Sequence, residues 1–557
     1  MLRVSKMFYH LKSASDAIRK VAIIGSGPTG LTLCRNLLNA NIPALHVDLI
    51  ERLHVPYGLL RYGVSPDHQD IKDAEKRLDE KIDSYHKRSS HPYAFVQKYR
   101  FIGNTTIKSE LDQNFGPSEF SLEKLSKCYD LVAITTGAGD KSRKLNIPGE
   151  DLPHVLTSLE ISGWYNSHPY YIKDGKFDLK DKKTDLSKVK NVVVIGLGNV
   201  ALDVGRILAM NPESLWLSFS DCDKDAYENL KKSTVENIFI VGRKGPKFFK
   251  GTRKELKEIR ERTSDKTTVT VLDHGNGDED SIFADDAEFK KMKQAQRKDL
   301  TKRGHFRTYA YLRDFNRTTI DDPLPEHELD RNLQFRFHRE PIEITETSVK
   351  FRINGDDSNI EEVSADLVIL CTGNELCGFS GIDYSTGKVQ TEKITKILKT
   401  KNPKKLEEFE THPEKFDNDP NHPDLMEEFG YKFLVPGFDN VAIAGWARNG
   451  SSGIINSSVD EANYLGNMMQ HRLLNCIDPT NRETPLSNDF EEFLNKEEVY
   501  RPSWDDWVKI REYEKEVAYD ENRYRNKVLN LEDLKDKLEL IKTLPKREPA
   551  ELPDAEL

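Results

Sequence analysis

The chain has 557 residues, a net charge of −10, 37% hydrophobic and 32% charged residues. That length holds three to four units of roughly 150 residues, and no apolar run approaches the ~20 residues of a membrane-spanning helix, which excludes a multi-span membrane protein. The 25 Phe and 20 Tyr exclude a fully disordered chain, and the acidic balance argues against general nucleic-acid binding. The six cysteines have no C-x-x-C spacing, so the chain is neither a disulfide scaffold nor a zinc ribbon nor a thioredoxin-type redox protein.

The first residues carry Arg3, Lys6, Lys12, Arg19 and Lys20 against Asp16, interleaved with Leu2, Phe8, Leu11 and Ile18. A basic, acid-poor amphipathic leader is the composition of a mitochondrial transit peptide, here assigned to residues 1–19. It lacks the continuous apolar stretch of a secretory signal. Next comes V-A-I-I-G-S-G-P-T-G, from Val21 to Gly30. A hydrophobic strand leads into Gly25, Gly27 and Gly30, and a helical pattern follows. Gly25 supplies a tight turn, Gly27 lets a pyrophosphate approach, and Gly30 allows close helix–strand packing. The second strand, L-H-V-D-L-I, ends at Glu51, where an acid binds ribose hydroxyls. This spacing predicts a dinucleotide site.

A second such motif starts at Asn191, N-V-V-V-I-G-L-G-N-V-A, giving Gly196, Gly198 and Ala201. After a helical insertion (209–236), the next strand ends in Arg243 and Lys244 with no acid. A basic pair attracts a 2′-phosphate, which selects NADP(H) over NAD(H). The competing reading is two strand-end surface charges. Residues 290–307 carry eight Lys or Arg, and 402–430 carry nine acidic residues against three basic ones. Each reads first as a solvated surface segment, although the basic stretch could also steer an acidic partner. Residues 431–470 return to strand–turn–helix character, and the stretch from Lys546 reads as a disordered tail. Two nucleotide sites imply a flavin that stays bound and a nicotinamide that exchanges. Flavins convert two-electron into one-electron traffic.

Four longer strings are more specific: V-P-Y-G-L-L-R-Y-G-V-S-P-D-H (Val55–His68), G-N-V-A-L-D-V-G-R-I-L, V-G-R-K-G-P with K-E-L (Lys254 to Leu256), and G-W-A-R-N-G-S-S-G-I-I (Gly445–Ile455). In this order the sequence resembles the adrenodoxin reductase family, the mitochondrial ferredoxin–NADP(+) reductases, over about residues 20–545. The resemblance implies an α/β fold of two Rossmann-like, doubly wound domains, with the NADP domain inserted into the FAD domain. Its boundaries would be 20–140 and 374–557 for FAD, including an acidic insertion near 390–430, and 141–373 for NADP. It places FAD against Thr29, Glu51, Leu59, Ile107, Trp446, Gly453, Ile454 and Ile455. It places NADP(H) against Leu197, Gly198, Asn199, Val200, Arg243, Lys244, Glu255 and Gly453. The sequence departs from the family twice. Lys244 stands where a second arginine is usual, which loses a planar fork. Arg448-Asn449-Gly450-Ser451 replaces Lys-Arg-Gly-Pro.

The resemblance implies hydride transfer from NADPH to FAD, then single electrons passed to an acidic iron–sulfur ferredoxin in the mitochondrial matrix. No membrane anchor is visible, which leaves only a peripheral association with the inner membrane open. His68 and Asp203 are the candidate catalytic pair, expected to meet across the domain interface; the alternative is two structural polar residues. Arg297, Lys298, Lys302 and Arg303 are the candidate ferredoxin contacts. No metal ligand set is assigned. Three other readings were weighed: a flavin disulfide reductase, which needs a cysteine pair; a reductase subunit of an amidotransferase-type synthase, which needs cysteine clusters; and an inactive flavin scaffold, which has no need of Arg243 and Lys244.

Overall fold

The computed structural model of the chain describes residues 18–40, 42–89, 97–173, 176–177, 185–217, 220–263, 267–272, 283, 285–298, 301–318, 331–376, 378–383, 433–451, 455–480, 482, 484–496, 498–518 and 524–543. The leader up to residue 17, the acidic insertion and the C-terminal tail lie outside the described residues. Arg19, assigned to the leader from its charge, is instead the first residue of a strand.

Short runs of Val, Ile and Leu, apolar on both faces, build two parallel sheets, as fully covered strands do. The first unit opens with β1 (Arg19–Ile24), β2 (Leu45–Ile50), β3 (Gln97–Ile102) and β4 (Leu131–Ile134). The chain then leaves to form β5 (Val155–Thr157), β6 (Asn191–Ile195), β7 (Asn237–Val241), β8 (Thr267–Leu272), β9 (Asn316–Thr318) and β10 (Arg331–Arg336). An antiparallel meander, β11 (Arg339–Ile344), β12 (Ser348–Ile353) and β13 (Asp356–Ser364), precedes β14 (Leu367–Leu370). The last strand, β15 (Val441–Ile443), returns to the first sheet. The strand orders are β15-β4-β1-β2-β3 and β9-β8-β10-β7-β6-β14-β5. The fold is therefore α/β with two doubly wound units, the second inserted into the first, as the resemblance implied.

Seven helices matter below: α1 (Pro28–Asn39), α2 (Gln69–Ser89), α3 (Asn199–Ala209), α4 (Arg253–Arg262), α5 (Ile455–His471), α6 (Trp504–Glu516) and α7 (Leu531–Thr543). α1 and α3 each start directly after a glycine loop. α1 packs along α5, so the C-terminal part of the chain completes the first unit. Trp504 and Trp507 of α6 are almost fully buried in the same core. Among the described residues no helix is long and apolar enough to cross a membrane.

The segment after α6 joins a buried charge cluster that no local sequence pattern announces. Asp221, from the second unit, meets three cations. Lys72 of α2 donates to its Oδ1, Lys527 Nζ lies 2.9 Å from its Oδ2, and Arg525 Nε lies 3.6 Å from the same oxygen. Arg525 also pairs with Glu75 of α2, and Arg61 is held by both oxygens of Glu514 on α6. Lys72 and Lys527 further donate to Asn166 Oδ1 at 3.0 and 3.3 Å. Three stretches of chain, distant in sequence, are thus tied at one point. The three cations hold the Asp221 carboxyl well below the usual carboxylate range despite its burial. One carboxylate shared among them cannot offset every desolvation cost, and burial pushes the Lys527 amine down to about 7.

Asp221→Ala leaves buried cations unpaired and should lower stability to denaturant by about 3–5 kcal/mol. The pH dependence of folding carries a second signature. Between about pH 7 and the ordinary lysine value, the unfolded chain binds a proton that folded Lys527 lacks, so this residue makes stability rise with pH. Lys527→Met should flatten that rise in denaturant titrations run across pH 7–9.

Candidate functional site

The first glycine loop joins β1 to α1. Gly25 adopts φ +99°, a conformation that side chains disfavour, and a Cβ there would also strike the Thr135 carbonyl. A Cβ on Gly30 would stand 1.9 Å from the Gly25 oxygen, so this position needs glycine to seat α1 on the loop. At Gly27 no atom of the described residues lies within 4 Å of where a Cβ would point. Open space therefore faces the N-terminus of α1, where backbone N–H groups and the helix dipole favour an anion. Glu51 stands at the end of β2, and its Oε2 accepts from Ser26 N and Oγ at 2.8 and 2.6 Å. The acid is thereby fixed beside the loop.

The other residues assigned to this site from sequence gather on neighbouring elements. Thr29 is the second residue of α1, and a Cβ on Gly445 would meet it, which brings the Gly445–Trp446 turn onto the start of that helix. The indole Nε1 of Trp446 is buried and has no hydrogen-bond partner among the described residues, which suits it to donate to a bound group. Leu59 opens a short helix (Leu59–Tyr62), Ile107 lies in the strand Thr106–Lys108, and Ile455 begins α5. A flavin dinucleotide fits this cradle. Gly453 and Ile454 lie outside the described residues. Arg448, one of the departures from the family pattern, is tied to Glu461 through its Nε at 2.6 Å.

The second loop repeats the geometry between β6 and α3. A Cβ on Gly196 would clash with the Cys371 carbonyl, whereas Gly198 has nothing within 4 Å. Leu197, Gly198, Asn199 and Val200 follow in order, and Val200 is largely exposed at the start of α3. Asn199 Oδ1 accepts from Thr252 N at 2.8 Å. Arg243 and Lys244 stand just past the end of β7. Arg243 is 67% exposed and its Nη1 lies 3.6 Å from Glu340, an acid supplied by β11 that the sequence motif did not reveal. This loop and its cation pair fit an exchangeable, 2′-phosphorylated dinucleotide.

Between the two loops lies a buried polar cluster. His68 Nδ1 lies 3.9 Å from Asp203 Oδ1, so the structure brings these two together across the units. A closer partner was missed from sequence: His68 Nε2 donates to Glu258 Oε2 at 2.5 Å. Glu255 Oε2 lies 3.6 Å from the same nitrogen. Glu255 and Glu258 are three apart on α4 and share a face, a spacing that the sequence did display. Arg206 is also three residues past Asp203 on α3. Its Nη2 donates to Asp203 at 2.8 Å, its Nη1 to Glu255 at 3.1 Å, and its Nε and Nη2 to both oxygens of Asp67 at 2.9 and 3.0 Å. Arg262 caps the loop carbonyl of Asp67 at 2.9 Å.

The charges sort themselves by neighbour. Burial alone would raise the Asp67 carboxyl, but Arg206 holds it well below the usual range. Burial opposes protonation of His68, and the bond to Glu258 with the nearby Asp203 outweighs it, so its pKa is raised. Glu258 is lowered by the same bond against its own burial. Glu255 is pushed up to about 7 by burial and by Asp203. The partner-contact candidates Arg297, Lys298, Lys302 and Arg303 fall on the helices Asp286–Lys298 and Thr301–Arg313, and their side chains lie outside the described residues.

Comparisons with known proteins agree with this geometry. Residues 19–215 match the family model described as pyridine nucleotide-disulphide oxidoreductase. A Mycobacterium leprae protein, NADPH-ferredoxin reductase FprA, is 27% identical over 93% of this chain and 98% of its own length. The Arabidopsis thaliana mitochondrial NADPH:adrenodoxin oxidoreductase is 27% identical over 94% of this chain and 96% of its own. Both similarities run over nearly the whole chain. A Saccharomyces cerevisiae protein described as a probable mitochondrial member is 28% identical over 95% of the chain and 98% of its own. The solved structure of Mycobacterium tuberculosis FprA in complex with NADPH has the same fold, with a TM-score of 0.67 and 24% identity over 93% of this chain and 98% of that one. Within the segment matched by the family model, Cys34 and Cys128 are both buried and burial pushes both thiols up. Neither is the reactive pair that disulfide chemistry requires.

Gly27→Val would fill the first cradle, and Gly198→Val the second. The first variant should purify without flavin colour. The second should keep its flavin absorption but lose its reduction by NADPH, read at the flavin band; a colourless second variant would mean that the two loops have been assigned the wrong way round.

Proposed function

We propose that this chain is an FAD-dependent NADPH:ferredoxin oxidoreductase. The observation that carries the reading is the pair of open glycine cradles, one backed by Glu51 and the other by Arg243 and Lys244, on two units whose facing surfaces are locked together. A flavin accepts a hydride and releases electrons singly when bound. The chain's own contribution is alignment: α1 and α3 hold the two pyrophosphates, and the interface fixes the distance between what they carry. The FAD unit is assigned to 20–140 with 374–557 and the NADP unit to 141–373, supported by the exit of the chain after β4 and its return at β15.

His68 and Asp203 are assigned to this interface as a pair acting in electron transfer or in alignment of the units. Their approach to 3.9 Å supports this, with Glu258 and Glu255 as additional acids. Glu255 is assigned as an NADP(H) contact. Its buried carboxyl, pushed up to about 7, suits a group that loses or keeps a proton as the nucleotide exchanges. The partner is a small iron–sulfur ferredoxin of acidic surface, docking on the basic 290–307 stretch. That reading is supported by eight cations in an otherwise acidic chain. A mitochondrial matrix location, with at most peripheral contact to the inner membrane, is supported by the basic leader and by mitochondrial relatives from plant and yeast. The bacterial relatives belong to the same group and have no such compartment.

Anaerobic titration should bleach the flavin with stoichiometric NADPH and with far more NADH, and added ferredoxin should restore the colour. Absence of nicotinamide preference would overturn the role of Arg243 and Lys244. The double variant His68→Ala with Asp203→Ala should slow NADPH-to-ferredoxin electron transfer while leaving NADP(+) binding in place; unchanged turnover would return both residues to a structural role. Turnover with ferredoxin should fall steeply with salt, and turnover with a small neutral acceptor should not. Equal sensitivity would remove the basic stretch from the docking surface.

A further inference from the structure

The strand-end cations of the second unit have an aromatic neighbour that the glycine motif does not require. Phe248 is 61% exposed. It lies on a short segment that leaves β7 through Arg243 and Lys244 and ends at Thr252, whose N–H is bonded to Asn199 at the start of α3. The segment therefore runs beside the nucleotide groove, from the 2′-phosphate end to the pyrophosphate end. Both of its sides are pinned. Phe249 is buried, with ring centroids 6.3 and 6.4 Å from Phe335 and Phe337, and Lys247 is paired with Glu288. With Phe249 turned inward, the adjacent ring of Phe248 is held outward on a fixed backbone. Lys244 Nζ sits 5.3 Å from its centroid.

A single exposed phenyl ring is ordinary on a protein surface. This one is distinguished by its place: it follows, on the same short segment, the two cations assigned to a phosphate, and Lys244 lies over its face. We infer that Phe248 is the adenine-stacking residue of the NADP(H) site, with Lys244 bridging the ring and the 2′-phosphate. The inference rests on the reading of Arg243 and Lys244 as the 2′-phosphate grip. An aromatic face takes a purine by offset stacking, and the cation on the ring orders both partners. The chemistry separates two jobs. Arg243 senses the 2′-phosphate, whereas Phe248 binds the base that NADP(H) and NAD(H) share. The ring therefore adds affinity and not discrimination.

Calorimetric binding of three fragments to the flavin-loaded protein tests this: 2′,5′-ADP, 5′-AMP and nicotinamide mononucleotide. Phe248→Ala should weaken 2′,5′-ADP and 5′-AMP by a similar factor, about ten-fold, and leave nicotinamide mononucleotide unchanged. Phe248→Trp should restore both. Arg243→Ala should weaken 2′,5′-ADP alone. Because the ring is exposed, the melting temperature should not move, which separates lost stacking from lost folding. Unaltered 2′,5′-ADP binding in Phe248→Ala, beside weakened binding in Arg243→Ala, overturns the inference and spares the phosphate grip. Unaltered binding in both variants overturns the phosphate grip itself. A Phe248→Ala enzyme that binds all three fragments normally but needs more ferredoxin for half-maximal turnover would make the ring a partner contact and would also overturn the inference.

Discussion

The two halves of this molecule are tied across their seam by buried ion pairs, and the one nearest the glycine cradles joins Arg206 to Asp67. Arg206 sits on α3, the helix whose N-terminus forms the second glycine cradle. Asp67 follows the turn at Tyr57–Gly58, which packs on the first: a Cβ on Gly58 would stand 3.4 Å from the Gly27 Cα. Both side chains are fully buried and joined by two hydrogen bonds in fork geometry. Arg206 thus ties the helix behind the second cradle to the segment that follows the turn packed on the first. A planar guanidinium fixes direction as well as distance, so the pair constrains how the two units face each other. Hydride transfer between two bound cofactors depends on such alignment more than on any acid or base.

A charged joint suits this task for a physical reason. Removing two charges from water costs nearly as much as their attraction returns, so a buried pair adds little net stability. Its geometry is nonetheless exacting, because a shifted partner leaves an unpaired buried charge. The cluster around Asp221 applies the same logic elsewhere on the seam. There α2, the second unit and the segment Arg525–Lys527 converge, and Glu514 receives Val528 N at 2.8 Å as well as Arg61. An apolar seam of the same area would tolerate sliding. Two charged anchor points hold the units in one register.

These anchors also explain what could and could not be read from the sequence. The glycine loops, the Val- and Ile-rich strands and the acid at Glu51 are local patterns, each complete within about thirty residues, and the structure places them as read. Glu258 was within reach, since its spacing from Glu255 puts both on one helix face. Asp221, Glu514, Arg525 and Lys527 were not. Each looks like an ordinary surface charge in its own neighbourhood, and its burial is decided by partners such as Arg61 and Lys72, hundreds of residues away. Glu340 beside Arg243 escaped for the same reason, because β11 comes from a meander with no nucleotide motif of its own.

The division of charge around His68 follows from this framework. Four acidic groups (Asp67, Asp203, Glu255 and Glu258) gather around Arg206 and His68, with Arg262 and Lys254 at the edge of the cluster beside Asp67 and Glu258. Asp67 takes the arginine fork and stays ionised. Glu258 takes the histidine and stays ionised as well. Glu255 has a shared guanidinium nitrogen and a longer approach to His68, but burial and the neighbouring Asp203 outweigh both and push it up to about 7. Burial and the Asp203 charge together set Glu255 apart from the other three carboxylates. It stands on the helix that follows the loop linking the strand-end cations to the second glycine cradle. The interface that ties the units together thereby carries one carboxyl raised toward neutrality among partners that stay charged.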